Sequence, residues 1–266
     1  MAAVFAPFLV QDVLLDRELF AVFFLCAVIY QLLAADGSQR GFLATAGVCL
    51  GMAAMARDGL ILLAPLMAVW LIADPWLRGR MTDGRMREGF GRVGAFAVGL
   101  MLVVVPVALR NYNVSGETVL LTTQSRVFMQ TAGSTTGLSE KLLVFINRTE
   151  LPDPVDYLRH DSQLPILHLP LPTWGWLAPA ALAGLILSVT RWREMLVIYL
   201  IGGGYIAMAV NFNFYRYRMP VVPLMIIMAA YGAIEIATAV WRRRFIRVLI
   251  ATLAILAGIV LINLTD

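Results

Sequence analysis

Two short segments of this chain place arginine beside tyrosine or asparagine at the ends of long apolar runs. They occupy residues 110–112 (RNY) and 215–220 (YRYRMP). A guanidinium group is planar, permanently charged and rich in donors, which suits it to the oxygens of a phosphate ester. When a phosphate leaves in a reaction, fixed cations stabilise the negative charge that grows on it. The two segments therefore predict a site for an anionic, lipid-linked substrate.

The composition of the chain predicts that these segments belong to a membrane protein. Hydrophobic residues make up 60% of the 266 positions and charged residues only 14%. Several apolar runs have the length needed to cross a bilayer. We therefore expect an all-α integral membrane protein, a polytopic helical bundle of about eight to nine spans with one outer loop region. The predicted spans lie at residues 19–35, 42–56, 59–73, 93–109, 173–190, 194–210, 219–240 and 248–264, with 1–15 as the end of one more.

The arginines predict how the bundle is oriented. Most of the arginines next to predicted spans lie in every second short connection. An excess of arginine in short loops is typical of the cytoplasmic side of a membrane protein. They are Arg40, Arg78, Arg80, Arg85, Arg87, Arg92, Arg191, Arg193, Arg242, Arg243, Arg244 and Arg247. The remaining connections are then outside, where arginine is disfavoured and its presence needs a reason. The exceptions there are Arg17, Arg57, Arg110, Arg216 and Arg218.

This topology divides the chain into three parts. Residues 1–109 form an N-terminal transmembrane part, 110–172 an outer (periplasmic) loop or cap, and 173–266 a C-terminal transmembrane part. The net charge of +4 is concentrated in the cytoplasmic anchors, so it indicates topology and not nucleic-acid binding.

We predict no metal and no cofactor. His160 and His168 flank a proline-rich segment without an obvious third ligand, which is more typical of loop residues than of a metal site. Cys26 and Cys49 both lie inside predicted spans, where cysteine behaves as a small apolar residue.

Three segments, taken in order, carry a resemblance to a known family. They are residues 51–58 (GMAAMARD), 106–119 (PVALRNYNVSGETV) and 215–223 (YRYRMPVVP). Over residues 15–240 the chain resembles the central and C-terminal part of GT-C superfamily membrane glycosyltransferases, of the protein-mannosyltransferase and aminoarabinose-transferase type. The resemblance implies an enzyme that moves a sugar from a polyprenyl-phosphate donor to a lipid, glycan or protein acceptor on the outer face. Arginine-rich usage with a single lysine, Lys141, points to a bacterial inner membrane.

The chain departs from the family pattern at its start. Members generally place an acidic catalytic residue in the first large outer loop, and we expect this chain to begin after that loop, with the N-terminal spans missing. The nearest acidic group lies in residues 11–18 (QDVLLDRE), which resembles the family's second outer turn. Asp16 and Glu18 are therefore the candidate catalytic residues.

The candidate substrate-binding residues lie at the predicted outer ends of the spans. Their alternative roles are interfacial: arginines can extend to lipid headgroups, and tyrosines can form an aromatic belt. Since outer ends of different spans can meet around one pocket, we expect the arginines to converge on one outward-facing cavity. The candidates are Arg57, Arg110, Asn111, Tyr215, Arg216 and Arg218.

Two functions of different classes remain open. The first is the polyprenyl-phosphate-dependent transferase, with a carboxylate as base and the outer arginines on the phosphate. The second is a non-catalytic membrane subunit or degenerate relative that uses the same arginines to bind lipid or a partner membrane protein. A transporter is a weaker third interpretation, because the spans offer almost no ionisable group near the bilayer midplane.

Overall fold

A computed structural model describes residues 17–35, 39–77, 85–116, 121, 142, 145–146, 174–210 and 215–263, with the side chains of 85–87 and 215–217 excluded. Regular structure in these residues is helical throughout, which confirms the all-α prediction. The α-helices are α1 Arg17–Ala34, α2 Arg40–Ala56, α3 Leu63–Leu77, α4 Arg85–Ser115, α5 Trp174–Ser188, α6 Trp192–Ala209, α7 Val222–Trp241 and α8 Phe245–Ile262. Three 3-10 helices accompany them, at Asp58–Leu62, Val189–Arg191 and Tyr215–Val221.

Five helical segments are long and apolar enough to cross a membrane, and this confirms the membrane character that composition predicted. Large apolar side chains cover their outer surfaces; on α8, Leu249, Leu253 and Val260 are all more than half exposed. Such continuous apolar surface is typical of a protein that faces lipid. The five segments are Arg17–Ala34, Asp58–Pro75, Glu88–Ser115, Arg218–Trp241 and Phe245–Ile262.

Helix α4 is longer than the span predicted at 93–109. It continues to Ser115 and passes through Pro106 on the way. Most residues after Leu109 are polar, but none before Gly116 is a helix breaker, so the helix ends only before Gly116, whose φ is +70°. The first residues of the predicted outer loop are therefore a helical extension of the span.

The described residues fall into two compact units. In the first unit, Arg17–Ser134 with Arg193–Met208, helix α2 packs against both α1 and α4. Glycines allow the close approach to α4: Gly47 lies against the Phe96 carbonyl, and Gly99 lies against the Ala44 carbonyl. Without a hydrophobic drive between helices in lipid, such close backbone packing is a main source of helix association.

We expect Gly99→Ala to destabilise the first unit, because a Cβ there would overlap the Ala44 carbonyl, and backbone cannot move as a side chain can. Overpacking of this kind costs about 1–3 kcal/mol. Gly94 on the same helix is the matched control, since a Cβ there meets nothing within 4 Å. The free energy of unfolding of both variants is measured in detergent. Gly94→Ala should be neutral or stabilising, and equal losses of stability for both variants would contradict this account.

In the second unit, Thr135–Trp192 with Ala209–Asp266, helix α5 packs against both α7 and α8. Gly184 of α5 lies against the Met228 carbonyl and Gly232 of α7, and Gly258 of α8 lies against Pro179 of α5. Small residues therefore mark each of these helix contacts, as in α2 and α4 of the first unit.

Helix α7 ends in a two-bond cap. The Arg244 N–H donates to the Ala239 carbonyl at 2.8 Å, and the Arg243 N–H donates to the Val240 carbonyl at 3.0 Å. This is the Schellman arrangement, whose left-handed residue is usually glycine. Here Arg243 holds that position with φ 53°, although a left-handed conformation costs a residue with a Cβ roughly 1–2 kcal/mol.

Candidate functional site

The predicted site residues are divided between the two units. Glu18, Arg57, Arg110 and Asn111 lie in the first unit, and Arg218 lies in the second. Tyr215 and Arg216 are in the 3-10 helix Tyr215–Val221, and the description does not extend to their side chains. Asp16 lies outside the described residues. The expected convergence of the arginines on one cavity stays a prediction.

Arg57 occupies the break between α2 and the following 3-10 helix. Its backbone is extended, with φ −145° and ψ 100°, while its N–H still closes the last turn on the Ala53 carbonyl at 2.9 Å. Asp58 starts the next element and its Oδ1 accepts from the Gly59 N–H at 3.1 Å. Gly59 lies against the Met208 side chain, where a Cβ would be 2.7 Å from the sulfur. This break turns the Arg57 side chain into the interior, where it is 7% exposed.

The Arg57 guanidinium bridges two other helices of the first unit. Its NH2 group forms an ion pair with the Glu18 Oε1 in the first turn of α1. Its NH1 group donates to the hydroxyl of Tyr205 on α6 at 2.7 Å. Glu18 is 1% exposed and Tyr205 is fully buried. The structure thus joins a predicted catalytic residue and a predicted phosphate ligand in one buried ion pair.

The environment of this pair determines what it can do. Attraction between opposite charges is far stronger in a low-dielectric interior than in water. The Glu18 carboxylate also lies in the first turn of α1, where the helix dipole favours negative charge. A phosphate that used Arg57 would have to compete with Glu18, and a hydroxyl that used Glu18 as base would have to displace Arg57. The pair therefore fixes the ends of α1, α2 and α6 directly, and it can meet a ligand only by opening.

Arg110 and Asn111 lie near the end of α4. Arg110 is exposed, so its guanidinium is accessible from outside the protein. Asn111 is half-buried, and its amide donates to the Leu121 carbonyl at 2.9 Å. This bond ties Leu121, which lies beyond α4, back to the helix. Tyr112 is 53% exposed, as an interfacial tyrosine would be.

Arg218 lies in the second unit just before α7, and it is only 3% exposed. Its guanidinium carbon is 5.0 Å from the centre of the Trp174 ring and 5.8 Å from that of Phe145. The two rings meet edge to face at 6.3 Å, and the Trp174 indole N–H donates to the Ile146 carbonyl at 3.0 Å. A cation held over aromatic faces within about 6 Å is stabilised by the ring quadrupoles.

Three side chains of these clusters were not among the predicted site residues. Tyr205 carried a usable signal, because a buried tyrosine hydroxyl inside an apolar span needs a hydrogen-bond partner. Trp174 and Phe145 carried none, since aromatic residues at span ends usually serve as interfacial anchors.

No group of three or more His, Cys, Asp or Glu side chains that could hold a metal ion occurs among the residues that the structure describes. Comparison of the chain with protein-family models, with curated proteins and with solved structures found no match.

Proposed function

We propose that the chain is a membrane glycosyltransferase of the GT-C type, which moves a sugar from a polyprenyl-phosphate donor to an acceptor on the outer face of a bacterial inner membrane. The acceptor would be a lipid, a glycan or a protein. The proposal includes the full set of eight to nine spans, of which five are described as long and apolar enough. It rests on the resemblance in residues 51–58, 106–119 and 215–223 and on the arginines at the span ends.

The observation that best supports this function is the environment of Arg218. Ionisable residues inside membrane segments are rare and costly, and those that occur usually serve a function. Arg218 opens one of the candidate spans and is buried beside two aromatic rings. Its contacts with the two rings hold the cation in place at the start of that span. A guanidinium held in this way suits the phosphate of a lipid carrier.

In the proposed reaction, the acceptor hydroxyl attacks the anomeric carbon of the sugar and the bond from that carbon to the phosphate oxygen breaks. A carboxylate takes the hydroxyl proton. The carrier leaves as a phosphate monoester, and the arginines stabilise its added negative charge. Between the two candidate bases, the burial of Glu18 and its ion pair with Arg57 favour a positioning role, and Asp16 becomes the first residue to test as base.

The second candidate function is a non-catalytic membrane subunit that binds lipid or a partner protein. The ion pair between Glu18 and Arg57 favours it, because the predicted acid and one predicted phosphate ligand neutralise each other. A transferase assay with polyprenyl-phosphate sugars separates the two functions. The enzyme releases polyprenyl phosphate, whereas the subunit binds the carrier without turnover.

Donor binding is tested with polyprenyl phosphate and polyprenol of equal length, which differ only in the phosphate. We expect the purified chain in detergent to prefer the phosphate, as measured by native mass spectrometry. Arg110→Ala should weaken binding of the phosphate roughly 10-fold or more, the effect of losing one hydrogen bond to a charged group. Arg110 is exposed, so this variant should fold normally.

Arg40→Ala is the matched control, since Arg40 is an exposed arginine at the start of α2 and belongs to a predicted cytoplasmic connection. The affinity of the Arg40→Ala variant for polyprenyl phosphate should equal that of the unchanged protein. Equal affinity of the unchanged protein for polyprenol and polyprenyl phosphate would rule out a phosphate site.

A further inference from the structure

The turn between α7 and α8 concentrates positive charge at a single point. It consists of Arg242, Arg243 and Arg244, and all three side chains are exposed. The candidate span before it ends at Trp241 and the one after it begins at Phe245. A connection this short between two spans must lie at the membrane surface, where phospholipid headgroups are found.

These three charges have no partner within the second unit as described. Glu235 of this unit forms ion pairs with other arginines. Its carboxylate oxygens lie 3.0 Å from a guanidinium nitrogen of Arg247 and 3.8 Å from one of Arg191. No ion pair involves Arg242, Arg243 or Arg244 in residues 174–210 and 215–263. The turn therefore presents a compact cationic surface to an external anion.

The backbone conformation of the turn disfavours arginine at its middle position. Arg243 occupies the left-handed position of the α7 cap with φ 53°, where glycine is the favoured residue. Local strain of this kind clusters at functional sites. An arginine here keeps three adjacent guanidinium groups on one turn at the expense of a more relaxed cap.

Apolar side chains flank the cationic turn on both sides. Trp241 is 89% exposed, Phe245 is 76% exposed and Ile246 is 75% exposed. Aromatic residues in such positions lie at the headgroup level of a bilayer. The surface thus combines donors for phosphate oxygens with apolar groups for the upper acyl chain, which matches the two parts of a phospholipid.

We propose that the α7–α8 turn, together with the flanking Trp241, Phe245 and Ile246, binds an anionic phospholipid of the leaflet in which the turn lies, through the phosphodiester headgroup of that lipid. This site is separate from the proposed polyprenyl-phosphate site. Arg218 precedes α7 and Arg242 follows it, and the 20 residues of that helix span about 30 Å. The two sites therefore lie on opposite surfaces of the membrane.

The test measures binding of phosphatidylglycerol and phosphatidylcholine with identical acyl chains to the purified full chain, by native mass spectrometry and by the lipid-induced shift of the melting temperature. We expect the unchanged protein to prefer phosphatidylglycerol. Replacing Arg242, Arg243 and Arg244 together by glutamine should lower that affinity roughly 100-fold, about fivefold for each arginine.

Arg243→Gly separates binding from folding. Glycine relaxes the cap, so the melting temperature without lipid should stay equal or rise, while affinity for phosphatidylglycerol falls roughly fivefold. Arg40→Gln removes one exposed charge from the other unit and should leave the affinity unchanged. Equal binding of the two lipids by the unchanged protein would overturn the proposal, and so would unchanged affinity in the triple variant.

Discussion

Arg57→Met is expected to destabilise the first unit by about 3–5 kcal/mol, because it leaves the Glu18 carboxylate buried without its counter-charge. Glu18 is 1% exposed, so water cannot replace the lost guanidinium. The measurement is reversible unfolding of the purified chain in mixed detergent. Arg110→Met is the matched control: Arg110 is exposed, and a surface change of this kind usually alters stability by less than about 0.5 kcal/mol.

A second substitution tests whether the effect comes from the charge. Combining Arg57→Met with Glu18→Gln removes both charges, and most of the lost stability should return, since a neutral pair requires far less solvation than a single buried charge. A double variant as unstable as the sum of the two single variants would show that the pair is not coupled. Equal stability of Arg57→Met and Arg110→Met would contradict the buried ion pair itself.

Arg218→Ala is expected to weaken binding of polyprenyl phosphate roughly 10- to 100-fold, the effect of losing a charged hydrogen-bond donor to the phosphate. Arg218→Lys should recover only part of this affinity. Lysine keeps the charge, but it lacks the planar fork and stacks less well on Trp174 and Phe145. Affinities are measured on samples of each variant whose folded fraction has been established by its unfolding curve.

Trp174→Leu provides the control for the aromatic contacts of Arg218. It retains the arginine, and stability should fall by the cation–π contribution of about 0.5–2 kcal/mol together with the losses from the smaller buried side chain and from the broken bond to the Ile146 carbonyl. Affinity for polyprenyl phosphate should fall less than in Arg218→Ala. If folded Arg218→Ala binds polyprenyl phosphate as well as the unchanged protein, Arg218 only stabilises the fold and the phosphate site lies elsewhere.

The helices could be predicted from the sequence because lipid imposes a simple requirement. Every backbone polar group inside a bilayer needs an internal partner, so an apolar run of sufficient length must be helical. The spans predicted at 42–56 and 219–240 correspond to α2 at Arg40–Ala56 and α7 at Val222–Trp241. The residue at which α4 ends was harder to predict, because polar residues such as Asn113 neither favour nor stop a helix strongly. The helix stops at Gly116.

The contacts of the candidate site were harder to predict, since they join residues that are distant in the chain. Arg57 lies 39 positions from Glu18 and 148 positions from Tyr205. Topology placed Glu18 and Arg57 on the same side of the membrane, but it could not show that their side chains meet. That contact depends on the rotation of α1 and α2 about their axes. Helix rotation is set by close packing of the kind that Gly47 and Gly99 allow between α2 and α4, and a pattern of apolar runs does not record it.

The ion pair between Glu18 and Arg57 also bears on how the chain enters the membrane. Glu18 is at the start of α1 and Arg57 directly follows α2. The two helices are consecutive in the chain. A single helix that brings one unpaired charge into the membrane meets an insertion penalty, which is about 2.5–3.5 kcal/mol at the helix centre and smaller at a helix end such as these. Two helices that enter as a hairpin carry their charges in together and neutralise them on arrival. We therefore expect the translocation machinery to release α1 and α2 into lipid as a pair, with α1 retained at the exit site until α2 has been synthesised.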